Sequence, residues 1–198
     1  MTVDEVKRAA RARARGRRRV VAVIGSGRTA DPQCVDVGRL VAQLDVDLLT
    51  GGGLGVMDAV SRAFVETSPR AGLVIGIIPA EVDHLDALER REASAVAYRP
   101  PDGYPNPWVE VAIYTHLPDS GREGTLRSSR NHINVLSADV IVAFPGREGT
   151  LAEIWLATQY GVPIVAYGDH DQAIPYGIER ANSIDALRAF LLRHARAA

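Results

Sequence analysis

The chain has almost no lysine and almost no cysteine. Of 23 basic residues among 198, only Lys7 is a lysine, and the remaining 22 are arginines. A pyridoxal-phosphate enzyme forms its Schiff base on a buried lysine, and a P-loop needs Gly-Lys-Ser/Thr after its glycines. Lys7 sits in an arginine-rich leading segment and supplies neither, so a pyridoxal-dependent decarboxylase is excluded. Cys34 is the single cysteine, which rules out an internal disulfide and a cysteine-built zinc site. His116, His132, Asp139 and the pair His170-Asp171 lack metal-ligand spacing, so no metal is expected. Ser128-Ser129 has no G-x-S-x-G elbow around it, which argues against a serine hydrolase. No apolar run approaches the ~18 residues that span a bilayer, and no apolar signal core follows the basic N-terminus. A cytoplasmic protein without a membrane partner is expected. A formal net charge of −1 gives no polyelectrolyte character and makes nucleic acid an unlikely partner.

What is present is ordinary for a globular domain: 46 % hydrophobic and 24 % charged residues. Residues 1–19 stand apart as a basic arm, with Lys7, Arg8, Arg11, Arg13, Arg15, Arg17, Arg18 and Arg19 interleaved with alanines. The arm reads as a solvated helix or tail, free to dock on the acidic remainder. Residues 20–198 form the domain proper.

From Val20 onward, short apolar runs alternate with longer amphipathic ones. Strands are expected at Val20–Ile24, Asp47–Thr50, Leu73–Ile78, Trp108–Thr115, Val140–Phe144 and Pro163–Tyr167. Helices are expected at Asp31–Leu44, Val56–Thr67, His84–Ala93, Glu123–Ala138, Thr150–Tyr160 and Ser183–Arg196, the first capped by Asp31 with Pro32 in its first turn. Tyr98–Pro107 holds four prolines and reads as a loop. Strands that are apolar throughout, alternating with helices, define an α/β fold. The expectation is a Rossmann-like, doubly wound parallel sheet of about six strands with helices on both faces.

In such a sheet ligands bind beyond the carboxyl ends of the strands. Three of those ends are rich in glycine: Gly25-Ser26-Gly27, Gly51-Gly52-Gly53-Leu54-Gly55-Val56-Met57, and Pro145-Gly146-Arg147-Glu148-Gly149-Thr150. Glycine lets backbone N–H groups approach a ligand closely, and a following helix adds partial positive charge. Together they favour an anion, most often phosphate. A phosphorylated small molecule is therefore the expected partner. Gly25-x-Gly27-x-x-Ala30 resembles a dinucleotide fingerprint, but the second strand ends in Thr50-Gly51-Gly52 without the acidic residue that holds ribose. No NAD, FAD or other cofactor is expected.

The third loop continues as Pro145-Gly146-Arg147-Glu148-Gly149-Thr150-Leu151-Ala152-Glu153. This resembles the Pro-Gly-Gly-x-Gly-Thr-x-x-Glu signature of the LOG ("Lonely Guy") family, Rossmann-like proteins once labelled lysine decarboxylases. Arg130, fifteen residues before Pro145, matches the family arginine. The resemblance spans roughly Val20 to Tyr167. The segments Ser129-Arg130-Asn131 and Gly51–Met57 look most like the bacterial branch near the molybdenum-cofactor carrier proteins. The resemblance implies a nucleoside 5′-monophosphate phosphoribohydrolase, which releases base and ribose 5-phosphate from a cytokinin-type or other nucleotide. The alternative it implies is a non-catalytic nucleotide or molybdenum-cofactor carrier or sensor. Glu153 and Arg130 are the implied catalytic pair, joined to each other or to the nucleotide. Gly149 and Thr150 are the implied phosphate donors. A homodimer is implied through helices beside the site, with Trp155 and the face around Leu156 as its contacts. Two features depart from the family pattern. Arg147 replaces the second glycine, straining the loop if that position needs positive φ, or else clamping phosphate or narrowing the site so as to exclude a nucleotide. The glycine loop Gly51–Met57 is also shorter than in the cytokinin-nucleotide hydrolases.

Overall fold

Among the described residues, seven parallel strands form one sheet, in the order Val111–Tyr114, Val74–Ile78, Val46–Thr50, Arg19–Ile24, Val140–Ala143, Ile164–Tyr167 and Glu179–Ala181. The computed structural model of the chain describes residues 17–80, 100–170 and 173–195. The strands are β1 (Arg19–Ile24), β2 (Val46–Thr50), β3 (Val74–Ile78), β4 (Val111–Tyr114), β5 (Val140–Ala143), β6 (Ile164–Tyr167) and β7 (Glu179–Ala181). The described helices are α1 (Cys34–Ala42), α2 (Val56–Val65), α3 (Asn131–Ser137), α4 (Glu148–Tyr160) and α5 (Ile184–His194). The expected helix His84–Ala93 and arm residues 1–16 lie outside the described residues.

Alternation along the strands sorts the core into two layers. Val21 and Val23 of β1 face one side with Val37 and Leu40 of α1, Val60 and Phe64 of α2 and Leu187 and Phe190 of α5. Ala22 and Ile24 face the other with Val135 of α3 and Ile154, Leu156 and Ala157 of α4. Both faces of the central strands are covered, which is why they read as continuous apolar runs rather than alternating ones. Cys34 lies in the first layer, its thiol pushed up to about 12 by burial, and is no nucleophile at neutral pH.

Several expected boundaries are corrected. A seventh strand, β7, escaped notice because Glu179 and Arg180 are exposed at the sheet edge, so it carries no apolar run. Helix α1 starts at Cys34, because Asp31 Oδ1 accepts from Gln33 N–H and spends its capping capacity on a preceding turn. The helix expected from Glu123 to Ala138 is broken into a 3₁₀ turn at Gly121–Glu123, further turns, and α3. Here side chains compete with the helical ladder: Ser129 Oγ accepts from Asn131 N–H, and Ser128 Oγ donates to Asp119.

The first residue of β1 and the two arginines before it dock on the domain's own acids. Arg17 holds both oxygens of Asp139 at 2.7 Å, Arg19 adds a bond at 2.9 Å, and Arg18 reaches Asp45 and Asp47. Burial works against the Asp139 carboxylate, but bonds from Arg17, Val20 N–H and Arg19 outweigh it and hold the group below its usual range.

Candidate functional site

The three glycine loops follow β2, β1 and β5, which are neighbours in the sheet, and order reverses between β1 and β5. This topological switch point opens a crevice at the carboxyl edge. The loops are tied together by backbone bonds: Ser26 N–H donates to Pro145 C=O at 3.1 Å, and Val56 N–H donates to Ser26 C=O at 2.9 Å. Gly55, at φ 67°, lets the second loop pass the first, since a Cβ there would lie 2.3 Å from the Ser26 carbonyl oxygen. Ser26 Oγ accepts from the N–H groups of Arg28 and Thr29, closing its own turn.

The result is a cleft of about 720 Å³. Of the expected site residues, it brings together Gly25, Ser26, Gly27, Gly51, Met57, Arg130, Arg147, Gly149, Thr150 and Glu153. Pro145 and Gly146 line a smaller neighbouring cavity of about 360 Å³, which shares Ser26, Arg28, Arg147 and Thr150 with the first. Gly52, Gly53 and Gly55 line neither cavity. Gly52 packs against Ile78 and Gly53 against Tyr104, so they shape the second loop from behind. Gly146 leaves room for Thr150, whose Oγ1 would meet a Cβ at 2.0 Å.

Helix α4 points its first turn at the cleft. Its earliest intrahelical bond runs from Leu151 N–H to Arg147 C=O, and no side chain caps it. The N–H groups of Glu148, Gly149 and Thr150 therefore have no partner within the helix. Arg147, just before the helix, has φ −99° and ψ −154°, an extended conformation open to any residue. The strain that a positive φ would impose on an arginine here does not arise.

Arg130 and Glu153 meet on the cleft floor but form no ion pair with each other. Arg130 Nη1 donates to the carbonyl oxygens of Gly51, at 2.9 Å, and Ile77, at 2.5 Å, bridging the ends of β2 and β3. Its guanidinium carbon lies 5.5 Å from the centre of the Tyr104 ring. Glycine at position 51 makes this possible, since a Cβ there would be 2.7 Å from Nη1. Glu153 Oε1 instead accepts from Asn134 Nδ2 at 2.8 Å. Burial raises the Glu153 carboxyl above the ordinary glutamate range, with the Asn134 bond and the Arg130 charge offsetting only part of that.

The cleft also contains residues that sequence reasoning missed. Arg28, Tyr104, Arg122 and Asn134 all line it. Asn134 was within reach of inspection, lying four residues after Arg130 and hence on the same helical face. Tyr104 was hidden in a proline-rich loop, which Asn106 fastens to the glycine loop through bonds to the carbonyls of Gly52 and Gly53. Arg122 carried no signal; its Nε donates to Glu148 Oε1 at 2.7 Å across the mouth. Four arginines against Glu148 and Glu153 leave the cleft net positive and suited to an anion.

Trp155 is 53 % exposed on α4 rather than packed, while Leu156 is buried in the core and presents no outward face. Among the described residues no group of three or more His, Cys, Asp or Glu side chains is placed to hold a metal ion. None of their helices is long and apolar enough to cross a membrane.

A doubly wound parallel sheet with an arginine-lined cleft at its switch point defines a Rossmann-like α/β protein. The chain belongs to the SLOG cluster4 family, whose model matches residues 18–189. Among solved structures it is similar to the molybdenum cofactor binding protein of Rippkaea orientalis, with 26 % identity and a TM-score of 0.63. That match covers 90 % of this chain and 98 % of the other. The molybdenum cofactor carrier protein of Chlamydomonas reinhardtii gives 25 % identity and a TM-score of 0.63, covering 89 % and 98 %. DNA processing protein A of Helicobacter pylori shares the fold at 16 % identity and a TM-score of 0.57, covering 90 % and 82 %. No curated protein matches the chain by sequence.

Proposed function

We propose that the protein binds a nucleoside 5′-monophosphate and hydrolyses its N-glycosidic bond, releasing the base and ribose 5-phosphate. The observation that carries this reading is Glu153, a carboxyl 9 % exposed on the floor of a cleft that four arginines leave net positive. Glycosidic cleavage passes through an oxocarbenium-like state, and a carboxyl group beside the sugar stabilises that charge or handles the proton of the attacking water. The free N–H groups of Gly149 and Thr150 would take the phosphate. Arg130, pinned by two carbonyls, would face the sugar beside Glu153. No metal or organic cofactor enters this scheme.

The test is incubation with AMP, its cytokinin derivatives and the other common monophosphates, following free base by chromatography. Base release that Glu153→Gln abolishes supports the hydrolase. Tight binding without release supports the second reading, a carrier of a phosphorylated ligand such as the molybdenum cofactor. That reading is favoured by the two molybdenum-cofactor proteins, which this chain matches over nearly their whole length.

Arg147 stands at the entrance to the α4 N-terminus, lines both cavities and takes part in no ion pair with a described residue. We place it as a phosphate clamp. Arg147→Ala should weaken nucleotide binding about fivefold, the scale of one charge-assisted bond. Calorimetry showing unchanged or tighter binding would remove it from that role.

A homodimer is part of the same proposal. Trp155 on α4 and Leu136 on α3, 53 % and 52 % exposed, are large apolar groups on helices that flank the cleft. Trp155→Glu is expected to convert a dimer to monomer in sedimentation experiments, and a wild-type chain that sediments as a monomer would dispose of the idea.

A further inference from the structure

Among the described residues, three buried side-chain polar atoms have no hydrogen-bond partner: Ser61 Oγ, Arg130 Nε and Asn134 Oδ1. Two of the three belong to residues that line the cleft, four positions apart at the start of α3. Arg130 is 7 % exposed and Asn134 2 %. A buried polar atom without a partner costs about 1–3 kcal/mol, so such atoms are rare and call for a reason. Here one is a donor and the other an acceptor. A hydroxyl group satisfies both, accepting from Arg130 Nε while giving its own proton to Asn134 Oδ1.

The other end of the same amide fixes where that hydroxyl lies. Asn134 Nδ2 donates to Glu153 Oε1 at 2.8 Å. With Glu153 at the anomeric carbon, the nearest hydroxyl of a ribonucleotide is the one on the adjacent carbon, the 2′-hydroxyl. We propose that Asn134 is the positioning and specificity residue of the site. Its NH₂ group orients the Glu153 carboxyl, and its carbonyl oxygen accepts from the 2′-hydroxyl of a ribonucleotide, so that ribose is selected over deoxyribose. The inference rests on the nucleoside-monophosphate reading and adds to it the sugar that is recognised. Bonds to that hydroxyl strengthen as the oxocarbenium character develops, which couples selection to the reaction.

The experiment compares AMP, GMP, CMP and UMP with their 2′-deoxy counterparts, by equilibrium binding and by base release. Wild-type protein should prefer the ribonucleotide about 3- to 10-fold, the range of one buried neutral hydrogen bond. Asn134→Leu should bring that ratio close to unity, and because the ratio is internal to each variant, a general loss of stability does not imitate it. Asn134→Asp retains an oxygen at the same place and should keep the preference. If nucleotides bind with no preference in the wild type, or the preference survives Asn134→Leu, Asn134 does not read the sugar, and the nucleotide reading still stands. If no monophosphate binds, both fall together.

Discussion

Replacing Glu153 by glutamine is expected to abolish release of free base while making the fold more stable at neutral pH. The loss of rate should be about 10²- to 10⁴-fold, the range of a positioned acid–base group. The gain in stability follows from the direction in which burial moves this carboxyl. Its folded-state pKa is raised, chiefly by burial, with the bond from Asn134 and the charge of Arg130 opposing. Above about pH 4.3, the ordinary glutamate value, the unfolded chain gives up this proton before the folded chain does. Stability contributed at this site is therefore present at low pH and falls as pH rises through the window between the two values. Glutamine has no proton to lose, and its carbonyl oxygen still accepts from Asn134 Nδ2. Glu153→Gln should therefore match the wild type near pH 4 and exceed it at pH 7, with a higher Tm at the higher pH. Denaturation at both pH values measures this. A variant less stable than wild type at pH 7 would show that the carboxylate is fully compensated in the fold. Undiminished base release would take Glu153 out of the chemistry.

Arg130→Met should be the most damaging single change for stability within the cleft. Methionine fills much of the volume but donates nothing, and the Gly51 and Ile77 carbonyls lose their guanidinium donor in a buried setting. At about 1–3 kcal/mol for each of the two orphaned acceptors, the expected cost is about 2–6 kcal/mol. Ligand binding should fail as well, because those two bonds hold the ends of β2 and β3 in register at the cleft. Arg130→Lys should rescue little, since an ammonium on a flexible stem lacks the planar, delocalised fork of donors and the flat face that lies over Tyr104. Urea denaturation of the three proteins provides the measurement. A methionine variant within about 1 kcal/mol of wild type would mean that the two carbonyls find water instead.

Both effects depend on contacts that a linear reading did not supply. The signature around Pro145–Glu153 and the matching Arg130 singled out two side chains that the tertiary structure seats together on the cleft floor. Of the two partners expected for Arg130, Glu153 or the nucleotide, Glu153 is not bonded to it here. Arg130 is occupied by backbone carbonyls from β2 and β3, and Glu153 by the Asn134 amide one turn along α3. Likewise Trp155 and Leu156 were expected to share one outward dimer face. The rotation of α4 turns Leu156 inward and leaves Trp155 half exposed.

The amino-acid sequence by itself determined the parallel α/β plan, because strands buried on both faces must be apolar throughout. It also marked which loops would gather at the ligand edge, because only glycine tolerates the close backbone approach at Gly55 and the packing of Gly146 against Thr150. Only the tertiary structure decided what those loops enclose. Strand order sets β2, β1 and β5 side by side, and a hydrogen bond between α3 and α4 joins residues nineteen positions apart. Periodicity records which side of an element is buried. It carries no information about which distant polar atom will satisfy another, since that depends on the distances left once the layers have packed.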